Sequence, residues 1–210
     1  MPFMAYNLSY VATSVKDSMN AREEFLQVLR AHHSIYLDSM WGVRMVMAQI
    51  EHAQRLFLQH GHPTAKTVEE LDEIELFVSD KDPSKHRVEH VAKMGSFKRR
   101  NSPRGLNQTF LGNLLVVSIF SFWEDYYRSL IASELMIAKD RLLIPVLGDI
   151  RLLRNDIIHH HAVATQRIEQ CEVLCWFKGG DEISMDEQQV DTMVCEIRNA
   201  VRKLITPPAV

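Results

Sequence analysis

The sequence predicts an all-α fold, a helical bundle with a long N-terminal helix and a small turn or hairpin before the last helix. Three observations carry this. Apolar residues recur at spacings of three and four through long stretches. Breakers are few, with 8 glycines and 7 prolines in 210 residues, and the prolines fall outside those stretches or at a first helical position. The last periodic segment opens on a helix-capping pattern and is followed by two prolines.

The segments follow in order. Residues 16–60 contain one glycine, Gly42, and no proline. Phe25, Val28, Leu29, His32, Ile35 and Tyr36 share a 3–4 spacing, as do Val43, Val46, Met47, Ile50, Ala53 and Phe57. This predicts one long helix, or two meeting near Gly42, with the apolar face in the core or at a dimer seam. Gly61 and Pro63 end it. Residues 61–105 read as an insertion. Thr67-Val68-Glu69-Glu70 caps a short acidic helix whose stripe is Leu71, Ile74, Phe77 and Val78, and Asp80–Pro83 is a turn. Core helices are expected over 106–205. The first spans Leu106–Lys139, with Leu111, Leu114, Leu115, Ile119, Phe122, Trp123, Tyr126 and Leu130 on a broad apolar face. The next begins at Pro145, a residue suited to the first helical position, with Ile150, Leu153 and Ile157 inward. Cys171–Ser184, with Gly179-Gly180, predicts a hairpin or tight turn. Ser184-Met-Asp-Glu187 reads as a capping box for the last helix, with Val190, Met193, Val194, Ile197, Val201 and Leu204 inward.

Composition bounds the function. The chain is 46% hydrophobic and 24% charged, with a net charge of −3, so nucleic-acid binding would need a local patch rather than global charge. Three cysteines, Cys171, Cys175 and Cys195, do not make a disulfide framework. Cys171 and Cys175 lack a second pair to complete a zinc site, and His86 and His90 lack a third ligand. No metal and no cofactor is expected. No secretory leader and no apolar run of the ~20 residues a membrane span needs is evident, so a soluble, cytoplasmic protein with no membrane partner is expected. Zinc-deaminase spacing, paired-carboxylate clusters and glycine-rich phosphate loops are all missing from the pattern.

The chemistry concentrates in Leu152–Ala162, LLRNDIIHHHA. Arginine is always charged and forks onto phosphate oxygens. Histidine gives or takes a proton near neutral pH. Arg154 and His159 lie five positions apart, ~140° on an ideal helix, and so face apart unless the helix ends or distorts between them. Asn155 shares the His159 face. Asp156, His160 and His161 are supporting candidates, as is Glu124, which either pairs with Arg128 at i,i+4 or orients Arg154 or a histidine. With a ribose 2′-hydroxyl as nucleophile, such residues suffice for metal-free RNA cleavage. The densest basic stretch holds Lys93, Lys98, Arg99, Arg100 and Arg104. It reads as a solvated loop or, alternatively, as an arm contacting an RNA backbone through Lys98, Arg99, Arg100 and Arg104.

Arg154-Asn155-Asp156-Ile157-Ile158-His159 resembles the RxxxxH signature of the HEPN superfamily, including the polar residue after the arginine. Phe122-Trp123-Glu124-Asp125-Tyr126 is similar to the aromatic–acidic helix of many stand-alone members. The resemblance extends over residues 16–205, with 61–105 as an insertion. It implies an all-α bundle, a homodimer, and a composite site where Arg154 and His159 of two subunits converge. It implies a metal-independent endoribonuclease of toxin–antitoxin, phage-defence or RNA-processing type, with an antitoxin or other regulatory protein as a further partner. Other members are non-catalytic modules that bind nucleotide, RNA or protein. A purely structural adaptor is the third reading, in which Arg154 makes a surface salt bridge with Asp149 or Glu124 and the histidines form a solvated helix end.

Overall fold

The computed structural model describes residues 20–79 and 88–204. Helix α1 (Ala21–His60) is a single 40-residue helix that runs straight through Gly42. Asn20 caps it by accepting from the Glu23 N–H at 3.0 Å, and Gly61, at φ 87°, ends it in a conformation that favours glycine. Its first half is embedded. Phe25, Leu29, Tyr36 and Met40 are buried, and the Phe25 ring packs against Trp123 and Tyr127, with centroids 5.3 and 5.4 Å away. Beyond Met40 the helix leaves the main core. Ile35, Val46 and Phe57, expected inward, are exposed, and so are Trp41, Met45, Leu56 and Leu58. The reason is the length of the neighbours. The last helix starts opposite Arg44, whose Nη1 donates to Glu187 at 2.5 Å.

The overhanging half of α1 is supported by the 61–105 region, where the expectation needs correction. Helix α2 covers only Val68–Asp72, capped by Thr67 as predicted. The chain then forms strand β1 (Glu75–Ser79), antiparallel to β2 (Val88–Lys93). Phe77 and Val78 therefore belong to a hairpin rather than to a helical stripe. The Asp80–Pro83 turn and His86 lie outside the described residues. The middle of the basic stretch, with Lys98, Arg99 and Arg100, is not a loop but helix α3 (Met94–Asn101), while Lys93 ends β2 and Arg104 lies in the turn that follows. Asp72 joins these parts. It accepts from Gln54 Nε2 and from Lys98 Nζ, both at 2.7 Å. Burial pushes its carboxyl up, but the Lys98 and Gln54 hydrogen bonds outweigh that and hold it below its ordinary value.

Helix α4 (Leu106–Phe122) runs into a π-helical turn, Trp123–Tyr127, and then α5 (Arg128–Glu134). The expected end at Lys139 is five residues too far, because Met136 turns left-handed at φ 55°. Helix α6 (Pro145–His159) begins with proline in its first turn, and α7 (Glu187–Arg202) closes the bundle. The predicted capping box is shifted. Asp186, not Ser184, accepts from the Gln189 N–H at 2.8 Å, and Gln189 returns the bond at 3.0 Å. Between α6 and α7 there is no hairpin. The chain makes a 3-10 turn at Gln166–Gln170, a tight turn at Gly180 (φ 95°) and a lone bridge between Val163 and Glu182. Val190, Met193, Val194, Ile197 and Val201 are buried as expected, with Leu204 partly so.

Helices α4 and α6 run antiparallel. The π turn after α4 adjoins the start of α6 across a cavity lined by both. At the other end, Asn113 of α4 donates to the Ile183 carbonyl at 2.9 Å, while the Ile183 N–H donates to Ala162, just past α6. This contact depends on Gly112, where a Cβ would sit 2.8 Å from Met185 Cβ and 3.0 Å from its carbonyl oxygen. Gly112→Val is expected to lower stability by ~1–3 kcal/mol, the usual cost of overpacking, read as a lower urea midpoint. An unchanged midpoint would mean that Ser184–Met185 yields without resistance.

Helix α4 is only half covered. Leu115, Val116 and Ile119 are buried, but Leu106, Phe110 and Leu114 are 65%, 63% and 50% exposed. Phe122, Tyr126 and Leu130 are exposed as well, against the expectation for Leu114, Phe122, Tyr126 and Leu130. By length and composition alone, the run Met94–Glu134 is long and apolar enough to cross a membrane, and 33% of its most apolar window is buried.

Candidate active site

Helix α6 presents the RNDIIH run at its C-terminal end. The one-sided burial of Leu153, Ile150 and Asp156 turns Arg154 and Asn155 to its flank, while His159, His160 and His161 are exposed. The angular separation of Arg154 and His159 is overcome by two facts. The helix ends at His159, and the arginine side chain spans the gap. Arg154 Nη1 donates to Asn155 Oδ1 at 3.2 Å and lies 3.4 Å from His159 Nε2. Both groups therefore meet within one chain. Arg154 Nε is buried and has no hydrogen-bond partner, so the stem is embedded while the head reaches the surface.

The turn after α6 is conformationally costly. His161 and Ala162 both lie in the left-handed region, at φ 53° and 60°. Such non-glycine conformations cost roughly 1–3 kcal/mol each and persist only where the surroundings over-determine them. Here the surroundings do. The His160 and Ala162 N–H groups donate to the Asp156 carbonyl, and the Ala164 N–H donates to Asp181. The Asp156 carboxylate, buried, accepts from the Thr165 N–H at 2.8 Å and from Thr165 Oγ1 at 3.0 Å. Asp156 thus holds the turn that carries the histidines and is not itself aimed at a ligand.

Glu124 does not orient Arg154. It accepts from Arg128 at 2.9 Å and pairs with Lys139 at 3.0 Å. Burial raises its carboxyl, but the Lys139 and Arg128 bonds prevail and lower it. It sits with Arg128 on a cavity of about 590 Å³ at the opposite end of α6, against Pro145, Gly148 and Arg151. Neither Arg154 nor His159 lines that cavity. A salt bridge from Arg154 to Asp149 or Glu124 is not formed either. Sequence reasoning considered Asp149 only as a surface partner for Arg154 and missed its role: it is buried and accepts from three backbone N–H groups, those of Glu172 (3.0 Å), Val173 (2.7 Å) and Leu174 (2.8 Å). The only sequence signal was an acidic residue beside the inward Ile150 and seven before Asp156.

The four cations assigned to RNA are not gathered into an arm. Lys98 is tied to Asp72. Arg99 donates to Ser96 at 2.9 Å, and the Arg100 guanidinium lies over the Phe97 ring, 5.7 Å from its centroid. Arg104 is left-handed at φ 61°, its N–H bonded to Gln108. The three cysteines are free. Burial first, and the Asp149 charge next, push the Cys171 thiol up to about 12. Among the described residues, no three His, Cys, Asp or Glu side chains gather in a group able to hold a metal. Comparison with protein-family models, with curated proteins and with solved structures finds no match to this chain.

Proposed function

We propose that the chain is a metal-independent endoribonuclease of HEPN type, with Arg154 and His159 as its reacting pair and a homodimer as its working form. The observation that carries the reading is the convergence of Arg154 Nη1 and His159 Nε2 at 3.4 Å on an exposed, strained helix end. A scissile phosphate at that point meets a fixed guanidinium and a proton carrier together. In the tautomer protonated at Nδ1, Nε2 carries the lone pair that faces Arg154; once the guanidinium turns onto the phosphate oxygens, that lone pair is free to take the 2′-hydroxyl proton. The 2′-oxygen then bonds to phosphorus while the bond to the 5′-oxygen breaks. Arg154 stabilises the charge gathering on the non-bridging oxygens. The departing 5′-oxygen needs a proton from a second acid, which His159 of a second copy would supply. The products are a 2′,3′-cyclic phosphate and a 5′-hydroxyl, and DNA is spared for want of the nucleophile. Asn155 acts by bracing Arg154.

The uncovered apolar flank of α4, Leu106–Leu114, supports a dimer in an aqueous, cytoplasmic setting, since a monomer would leave that surface wet. The second reading is a non-catalytic HEPN-type dimer that binds nucleotide, RNA or a protein partner such as an antitoxin. It is favoured by the open surface on which Arg154 and His159 lie. The test uses labelled single-stranded RNA in excess EDTA, with wild type and His159→Ala matched for helicity and for sedimentation as dimers. Cleavage by wild type only, with cyclic phosphate ends, is the expected result. Equal cleavage by both proteins removes His159 from the reaction. Binding without cleavage by either favours the second reading.

A further inference from the structure

The first half of α1 and the C-terminal half of α7 enclose a groove of about 140 Å³. Its rim carries Arg30 and His33 from α1 and Arg198 and Arg202 from α7, over a floor that includes Leu29 and Val194. Helical spacing explains the assembly. Val194, Arg198 and Arg202 recur every four residues, and Arg30 and His33 are three apart, so each set stays on one side of its helix. The floor is apolar because Leu29 and Val194 belong to the core.

The charge pattern is one-sided. Among the described residues, no carboxylate lines the groove. Among the described residues, the side chains of Arg30, Arg198 and Arg202 have no hydrogen bond and no ion pair. Asp191, beside the groove, is engaged with His33 Nε2 at 2.7 Å. Three arginines thus line one groove with no carboxylate bound to them, in a chain whose net charge is −3. Bringing like charges together is unfavourable unless something opposite completes them. Guanidinium forks match oxyanions in pairs of hydrogen bonds. Three forks exceed what the two oxygens of a carboxylate can use, and they suit the three or four oxygens of a phosphoryl group.

We infer that this groove is a phosphate-binding site, filled by the backbone of a nucleic-acid strand or by a free di- or polyphosphate. It is separate from Arg154 and His159. Those residues lie where α6 ends and the chain turns back through Ile183 toward the start of α7, whereas the groove lies toward the α7 C-terminus, near where Arg22 donates to the Leu204 carbonyl. The inference does not rest on ribonuclease activity.

Three proteins test it: wild type, Arg30→Gln, and Arg198→Gln with Arg202→Gln. Each change is at the rim and not in the core, and equal helicity is checked first. Two probes are used. Inorganic pyrophosphate is added at matched ionic strength and Tm is read, since a ligand of the folded state raises it. A labelled single-stranded 2′-O-methyl RNA, which cannot be cleaved by 2′-hydroxyl attack, is titrated at several salt concentrations. A Tm rise in wild type that shrinks in both variants assigns the groove to a free phosphate compound. Weaker RNA binding in both variants, with the log–log salt slope reduced by about one per arginine removed, assigns it to a strand. Both changes together assign a phosphate site open to either source. If neither probe separates the variants from wild type, the inference is overturned.

Discussion

Asp149→Ala is expected to destabilise the fold by about 3–5 kcal/mol, because one side chain satisfies three backbone donors at once. Hydrogen bonds to a charged acceptor are worth roughly 1.5–3 kcal/mol each, and a buried donor left unpaired costs about 1–3 kcal/mol. The Glu172, Val173 and Leu174 N–H groups all point at the Asp149 carboxylate, at 2.7–3.0 Å. Water can reach Glu172 and Val173 after the change, since both are exposed, but not the buried Leu174, so the loss falls short of the full sum. Urea unfolding would read it as a lower midpoint. Asp149→Asn keeps one amide oxygen as acceptor and should lose clearly less. Cys171 offers an independent readout. In wild type its thiol is buried and pushed up to about 12, so alkylation should modify Cys175 and Cys195 first. In Asp149→Ala the segment loosens and the neighbouring charge is gone, and both changes should make Cys171 more reactive. A variant with the wild-type midpoint and an inert Cys171 would show that the core alone seats this segment.

Asp149 also marks where sequence reading stops. The long helices were legible because their evidence is local. Apolar spacing located α1, α4, α6 and α7, Gly61 ended α1, and Pro145 opened α6. Short apolar runs were not legible. Leu71, Ile74, Phe77 and Val78 satisfy a helical spacing, yet Glu75–Ser79 is a strand, because Val88–Lys93 is there to pair with it. Ser184-x-x-Glu187 and Asp186-x-x-Gln189 both fit a capping pattern. The second prevails because Met185 is fully buried against Gly112, which keeps Ser184 and Met185 outside the helix. Exposure was misjudged at Ile35, Val46 and Leu114 because periodicity reveals a face but not whether a neighbour is long enough to cover it. In the candidate site, Arg154 and His159 were nameable from their chemistry. Their meeting was not, since it depends on α6 stopping at His159. The roles of Asp149 and Asp156 depend on backbone donors in a later segment, and the three-arginine groove joins helices near opposite ends of the chain.

Arg154→Lys is expected to separate stability from chemistry. Lysine keeps the positive charge and most of the stem but has no fork and no Nε donor. In the folded chain, Arg154 Nε is buried without a partner, a cost of about 1–3 kcal/mol that lysine would not carry. Stability should therefore stay level or rise slightly. Under the proposed ribonuclease function, cleavage should fall by roughly 10²–10³, the usual loss when one donor to a developing oxyanion is removed, and mostly in kcat, because the proposed interaction strengthens only as charge builds on phosphorus. A point charge aimed from a flexible stem does not reproduce the planar guanidinium whose Nη1 sits beside His159 Nε2. Residues that act as a unit are not additive. Arg154→Lys combined with His159→Ala should therefore be little worse than the more damaged single variant. Parallel urea melts and single-turnover cleavage of one RNA would measure both quantities. Lower stability with full activity would make Arg154 a structural residue that braces Asn155 and the end of α6. Unchanged cleavage at unchanged stability would mean that any positive charge at this position suffices, and the bidentate account of the site would fail.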